Sequence, residues 1–279
     1  MEQALREIDK EADRIVREIG IPPSPAILTR LLKQTREDEP DYDEAAKLIS
    51  ADVGLSGAML KTVNSAFFGL RTKATSIKQA LQLLGLRNAV EIITGLLLRQ
   101  SFPVGDNAAM DDFWQTSSGI ASVCAQLARP LGIGNRDEVY TFALFRDCGI
   151  ALLLVKFPGY ANFMKASHPD SGSAITAAEI EKFGIDHASL GARLARSWLL
   201  PEGTTAGIQH HHDIAQLQSG SVAREACRLV ALALAAEWIY TRHNVGPKCP
   251  EWSRGGDFAL NTLNISTEDL LAAAKTIDH

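Results

Sequence analysis

Three short stretches hold the residue types that do metal or acid–base chemistry. "IQHHHDI", residues 208–214, places three histidines and an aspartate in a row, "LFRDCG" carries Asp147, and "IDHASLG" carries Asp186 and His187. Imidazole and carboxylate are the ligand types of zinc, manganese and iron sites. The histidine run cannot form such a site alone. Successive side chains of a regular helix point about 100° apart, so His210, His211 and His212 cannot all face one ion. A metal site therefore needs partners from elsewhere in the chain, and Asp147, Asp186 and His187 are the residues that could supply them.

Each stretch also has a plain structural reading. Asp147 lies among Leu144, Phe145, Ile150 and Leu152–Leu154, where a carboxylate is costly to bury without a partner. An ion pair with a neighbouring helix would satisfy it. Asp186 can cap the helix that His187 begins. The histidine run can close a helix, where partial negative charge favours imidazoles.

The surroundings of these residues read as helices. Apolar residues recur at helical spacing along nearly the whole chain, with no sustained period-two alternation, so the expected fold class is all-α with roughly a dozen helices. Leu5, Ile8, Ala12, Ile15, Val16 and Ile19 form a stripe that Gly20 can end. Asp41 or Asp43, Asp52, Ser76 with Gln79, and Ser266 with Asp269 stand where helix caps belong. "RDEVYTFALFRDCGIALLLVKF" reads as one long helix and "NVGPKCPEWSRGGD" as a loop. Trp114, Trp198 and Trp238 fall on apolar faces, whereas Trp252 in that loop is the aromatic expected to be exposed. Asn64, Ser65, Phe67 and Gly69 read as a helix end and packing anchor. "PVGDNAAMD" is the best internal boundary. It gives an N-terminal helical lobe over 1–105, a second helical lobe over 106–245, and a C-terminal loop and helix over 246–279.

Composition narrows the partners. The 279 residues carry a net charge of −5, with 46% hydrophobic and 22% charged residues, and no strong basic block. That argues against nucleic acid as a partner. No run approaches the ~20 apolar residues of a membrane span, so no membrane role is expected. Cys124, Cys148, Cys227 and Cys249 form no C-x-x-C pair, which suits reduced thiols in the cytoplasm.

Taken together, the spaced motifs resemble the HDOD family, the HD-related output domain of bacterial signalling proteins. The resemblance runs from Ile21 to Asp213. It rests on "IPPSP", "NSAFFG" and "TSIKQALQLLGL" in the first half. In the second half it rests on "FWQTS", "LFRDCG", "FGIDHASLGARLARSW" followed by "LP", and "QHHHD". It implies an N-terminal helical lobe packed on a lobe like that of HD phosphohydrolases. Active HD enzymes hold one or two cations with several imidazoles and a bridging carboxylate. Carried over by motif, the early histidine position is Thr116, the histidine of the His-Asp pair is Arg146, and the aspartate remains as Asp147. His187, His211 and His212 match later ligands, and Ile150 stands where some relatives have lysine.

The resemblance thus implies a degenerate site. A guanidinium has no lone pair for a metal and repels cations, and Thr116 is a poor ligand. Thr116, Arg146, Asp147, His187, His211 and His212 are the expected pocket. Asp147, His187, His211 and His212 form a residual set for one divalent ion (Mn, Fe or Zn), with no cofactor at all as the other outcome. The expected function is a non-catalytic regulatory module that acts through a signalling protein or a small ligand such as a nucleotide. The alternative is a metal-dependent phosphohydrolase acting on a nucleotide or phosphodiester.

Overall fold

The computed structural model describes residues 20, 22, 24–65, 73–102, 108–128, 130–133, 136–166, 175–275 and 277. The expected first stripe, Phe67, Gly69 and the start of the 103–111 boundary lie outside these residues. Among the described residues there are sixteen helices and no strand.

Five helices make the first lobe: α1 (Ala26–Gln34), α2 (Tyr42–Ser50), α3 (Val53–Val63), α4 (Ile77–Leu84) and α5 (Leu86–Gln100). Their starts follow the sequence. Asp41 accepts from the Asp43 and Glu44 amides, Asp52 from Leu55, and Ser76 from Gln79. Gln79 returns its oxygen to the Thr75 amide, one residue short of a reciprocal box. Asn64 does more than end α3, since its amide bonds both the N–H and the C=O of Ala74. It closes the connection to α4. Helix α5 is the lobe's core element, with Ile92, Ile93 and Leu98 buried.

The second lobe comprises α6 (Ala108–Ala128), α7 (Arg136–Phe145), α8 (Cys148–Lys156), α9 (Tyr160–Ala166), α10 (Ile175–Phe183), α11 (His187–Ser197), α12 (Glu202–His210), α13 (Ile214–Gln218) and α14 (Arg224–Asn244). Helix α14 is its axis, packed on α6, α7 and α12, with an unbroken buried run from Leu229 to Ala236. The lobes meet where α7 lies on α5. There Thr141 Oγ1 donates to the Glu91 carbonyl at 3.1 Å, and Leu144 covers Gly95. The fully buried Trp198 donates its indole N–H to the Pro22 carbonyl at 3.0 Å, tying the proline-rich entry to the second lobe.

The structure departs from the sequence expectations in two segments. The long helix over 136–157 is two helices, broken at Arg146–Asp147, where Asp147 sits at φ −103°, ψ 14°. The "loop" after Asn244 contains α15 (Pro250–Leu263), followed by α16 (Thr267–Ala274) with the expected Ser266–Asp269 capping box. Gly255 and Gly256 do not break α15. A Cβ on Gly255 would stand 3.0 Å from Ile214 and Leu234, and one on Gly256 2.9 Å from the Trp252 ring. Gly255 is small because α15 packs tightly on α13 and α14, and Gly256 because the Trp252 ring of the same helix lies over it. Trp252 is therefore not a loop aromatic; it stacks on Trp238, with centroids 4.6 Å apart and planes 11° from parallel.

Close helix approach also governs the α8–α11 contact. A Cβ on Gly149 would fall 2.0 Å from the His187 carbonyl oxygen. Backbone cannot yield as a side-chain tip can, so Gly149→Ala should force α8 from α11. We expect a loss of about 1–3 kcal/mol or more in chemical denaturation.

At the opposite end of α7, Glu138 meets Glu225 on α14 beside a groove of about 820 Å³. Burial first, and then hydrogen bonding and repulsion from Glu225, raise the Glu138 pKa. A raised carboxyl favours the fold while protonated, and that contribution fades as pH rises through the folded pKa. Glu138→Gln should therefore raise Tm at pH 8 and leave it unchanged near pH 4, about the ordinary glutamate value.

Candidate metal centre

Four ligand atoms, one each from Asp147, His187, His211 and His212, lie within 4.8 Å of one another. Three local features bring them there. The break between α7 and α8 turns Asp147 inward. Asp147 occupies the N-cap of α8, yet its side chain makes no cap bond and is free for the site. His187 opens α11, where Asp186 caps the helix by accepting from the Ser189 amide at 2.7 Å. Helix α12 ends at His210, so His211 and His212 lie in the following turn. The regular-helix limit does not apply to them, and these two neighbours converge. His210, still in α12, does not join the four, and Asp213 is the N-cap of α13, holding the Gln216 amide at 2.9 Å.

The ring orientations are fixed from outside the cluster. His187 Nδ1 lies 2.7 Å from Glu179 Oε2, His211 Nδ1 2.7 Å from the Ile208 carbonyl, and His212 Nδ1 3.3 Å from Glu251 Oε2. Each Nδ1 faces an acceptor and so carries a proton. Each Nε2 is turned to the centre. His212 Nε2 is 3.0 Å from His187 Nε2, which is 3.4 Å from His211 Nε2. Asp147 Oδ1 is 3.1 Å from His211 Nε2 and 3.6 Å from His187 Nε2. Four ligands bound at about 2.0–2.1 Å in a tetrahedron stand about 3.3–3.4 Å apart. The donor set and its spacing fit one transition-metal ion, with the outer carboxylates and carbonyl that orient such histidines.

Arg146 does not enter this cluster. Its Nε and Nη2 donate to Asp147 Oδ2 at 3.0 and 2.7 Å, and its Nη1 pairs with Glu237 at 3.0 Å. The two Asp147 oxygens are thus divided, one toward the imidazoles and one to the guanidinium. Burial opposes ionisation of Asp147, but Arg146 and the His187 and His211 bonds hold it well below the usual carboxylate range. Burial also disfavours charge on His187, yet Glu179 and Asp147 outweigh it and push the ring up to about 10. Burial and the adjacent His212 bring His211 down to about 4. A proton on His187 Nε2, donated toward His212, is therefore what an ion would displace.

Thr116 is not part of the pocket. It is exposed on α6, whose inward face is Trp114, Ser117, Ala121 and Cys124. The acidic partners were missed in the sequence. Glu179 is fully buried, holds the His187 amide at 2.9 Å, and accepts from the Tyr160 hydroxyl. Glu237 offered a signal, a carboxylate inside the apolar run "VALALAAEWIY". Glu251, paired with Arg254, offered none once its segment was read as a loop. The cluster forms one wall of a cavity of about 550 Å³ whose apolar side includes Ile150, Met164, Ile175 and Leu234.

Glu179 anchors three buried groups, so its charge and both oxygens matter. Glu179→Gln should cost roughly 1–3 kcal/mol in chemical denaturation, whereas the exposed Glu181→Gln should leave stability unchanged.

Among known proteins, the chain matches the HDOD domain over residues 21–214. It is 27% identical over 214 residues to an uncharacterized Treponema pallidum protein, covering 73% of this chain and 39% of that one. The chain thus spans about two-fifths of that relative's length. A solved HDOD domain protein of unknown function from Geobacter sulfurreducens superposes with a TM-score of 0.67 at 22% identity, covering 94% of this chain and 92% of its own. A Shewanella amazonensis protein provisionally named a phosphohydrolase superposes at 0.69 with 23% identity, over 97% and 91% of the two chains. Another from the same organism, provisionally named a metal-dependent phosphohydrolase, does so at 0.67 with 18% identity, over 99% and 98%. These likenesses establish the helical fold, and the match across residues 21–214 means that this chain belongs to the HDOD domain family.

Proposed function

We propose that this chain is a non-catalytic signal-transduction domain whose second lobe is built around a single divalent ion held by Asp147, His187, His211 and His212. One observation carries the reading: Arg146 occupies Asp147 Oδ2, the oxygen that would have to bridge to a second ion in a two-metal hydrolytic centre. The fixed guanidinium supplies positive charge there and cannot ligate. Three imidazoles and one carboxylate suit Zn or Fe, with Mn less favoured by the nitrogen count. Four protein ligands close a tetrahedral site, the pattern of structural rather than catalytic zinc. Such an ion would clamp the starts of α8 and α11 to the end of α12. The bound state would then be presented through the helical surface to a regulatory protein. Four buried, unpaired thiols and the absence of a single described helix long and apolar enough to cross a membrane accord with work in the cytoplasm.

A metal-dependent phosphohydrolase is the second reading. It is favoured by the cavity of about 550 Å³ that opens on the cluster, with Arg254 at its rim to receive an anionic group. If coordination expanded to admit water, Glu237 could hold or accept a proton, since burial raises its pKa against the pull of Arg146.

Metal analysis of protein purified without chelators, paired with a phosphomonoester, phosphodiester and nucleotide screen, separates the two. We expect about one Mn, Fe or Zn per chain, lost in Asp147→Ala and reduced roughly 10–100-fold in affinity by Glu251→Gln, with no turnover. Two ions per chain and metal-dependent turnover abolished in Asp147→Ala would establish the hydrolase instead.

A further inference from the structure

A second cavity, of about 550 Å³, lies between the lobes, walled by α3, α5, α6 and α7. Helix contacts normally bury apolar stripes. Here three helices turn polar or small residues toward one gap at helical spacing. Helix α3 gives Ala58, Lys61 and Thr62, α5 gives Arg99 and Gln100 beside Leu96, and α6 gives Ser118 and Ser122 one turn apart. Among the described residues no carboxylate lines the space, although the chain as a whole is acidic at −5. The metal-centre cavity, by contrast, holds Asp147, Glu237 and Glu251.

Neither Lys61 nor Arg99 is ion-paired among the described residues. Each sits in the last turn of its helix, where the dipole offsets about half an elementary charge. Two full cations against about one unit of dipole charge leave the cleft positive. Beside them, Leu96 and the ring of Tyr140 offer an apolar wall. Arg99 is close enough to Tyr140 for its charge to act on the phenol, so cation and ring border the same space. Small-ligand sites combine these features: concavity, an apolar wall and a few convergent donors.

We propose that this interlobe cleft binds a phosphorylated small molecule of mononucleotide size, its phosphate between Lys61 and Arg99 and its flat body against Leu96 and Tyr140. Ser118 and Ser122 supply hydroxyl donors from the second lobe. Such a ligand would bridge α3 and α5 of the first lobe to α6 and α7 of the second. The site is independent of the metal centre and of whether that centre hydrolyses anything.

Calorimetric titration of the full chain with AMP, adenosine and inorganic phosphate tests this. We expect saturable AMP binding, competed by phosphate and absent with adenosine. The double variant Lys61→Ala/Arg99→Ala should weaken it roughly tenfold or more. Both side chains are exposed, so that variant should keep its Tm and metal content. Arg254→Ala, at the rim of the other cavity, should bind AMP as the parent does. No AMP binding up to about 10 mM overturns the proposal. So does binding that is lost in Arg254→Ala but kept in the double variant.

Discussion

The carboxylate of Asp147 serves two partners that repel each other. One oxygen takes two hydrogen bonds from the Arg146 guanidinium, and the other faces the imidazoles of His187 and His211. A charge this removed from water must be matched on every side, and the local backbone is shaped to do so. The chain leaves the helix at Arg146–Asp147, so two adjacent side chains turn into one site instead of diverging. Gly149 then lets the next helix start directly against the His187 backbone. Glycine, helix break and buried arginine are consequences of placing one carboxylate there.

The outer residues extend the same balance. Glu179, Glu251 and the Ile208 carbonyl each hold one Nδ1, leaving the three Nε2 atoms turned toward a point beside Asp147 Oδ1. Glu237 neutralises the far side of Arg146. Burial alone would neutralise these acids, but Glu179 stays below its usual value through His187, and Glu251 is held at about 2, chiefly by His212. The four candidate ligands thus arrive with their orientation set. In the proposed reading they hold one cation, and the guanidinium supplies positive charge where a second ion would sit in a two-metal centre.

Much of this was readable from the residues. Helical period gave the all-α class, and the caps at Asp41, Asp52, Ser76 and Ser266 stand where spacing put them. Motif order sets Asp147, His187, His211 and His212 apart as a group, and their ligand atoms converge. What failed did so for physical reasons. Thr116 has motif position alone in its favour, and helical phase puts it on the outer face of α6. Gly255 and Gly256 resemble loop punctuation, but tight packing against Ile214, Leu234 and Trp252 demands the same residue type. The break at Arg146–Asp147 carries no proline or glycine at its centre; tertiary pairing imposes it. Glu179 and Glu251 look like surface acids until the fold closes over them.

The proposed centre is a single ion shared by four ligands, with Arg146 in place of a second. Anomalous diffraction from crystals grown without chelators, recorded across the Mn, Fe and Zn absorption edges, tests that most directly. One peak is expected, about 2.0–2.2 Å from Asp147 Oδ1 and the three Nε2 atoms. No peak, or two peaks about 3.5–4 Å apart with Arg146 displaced from Asp147, would contradict it.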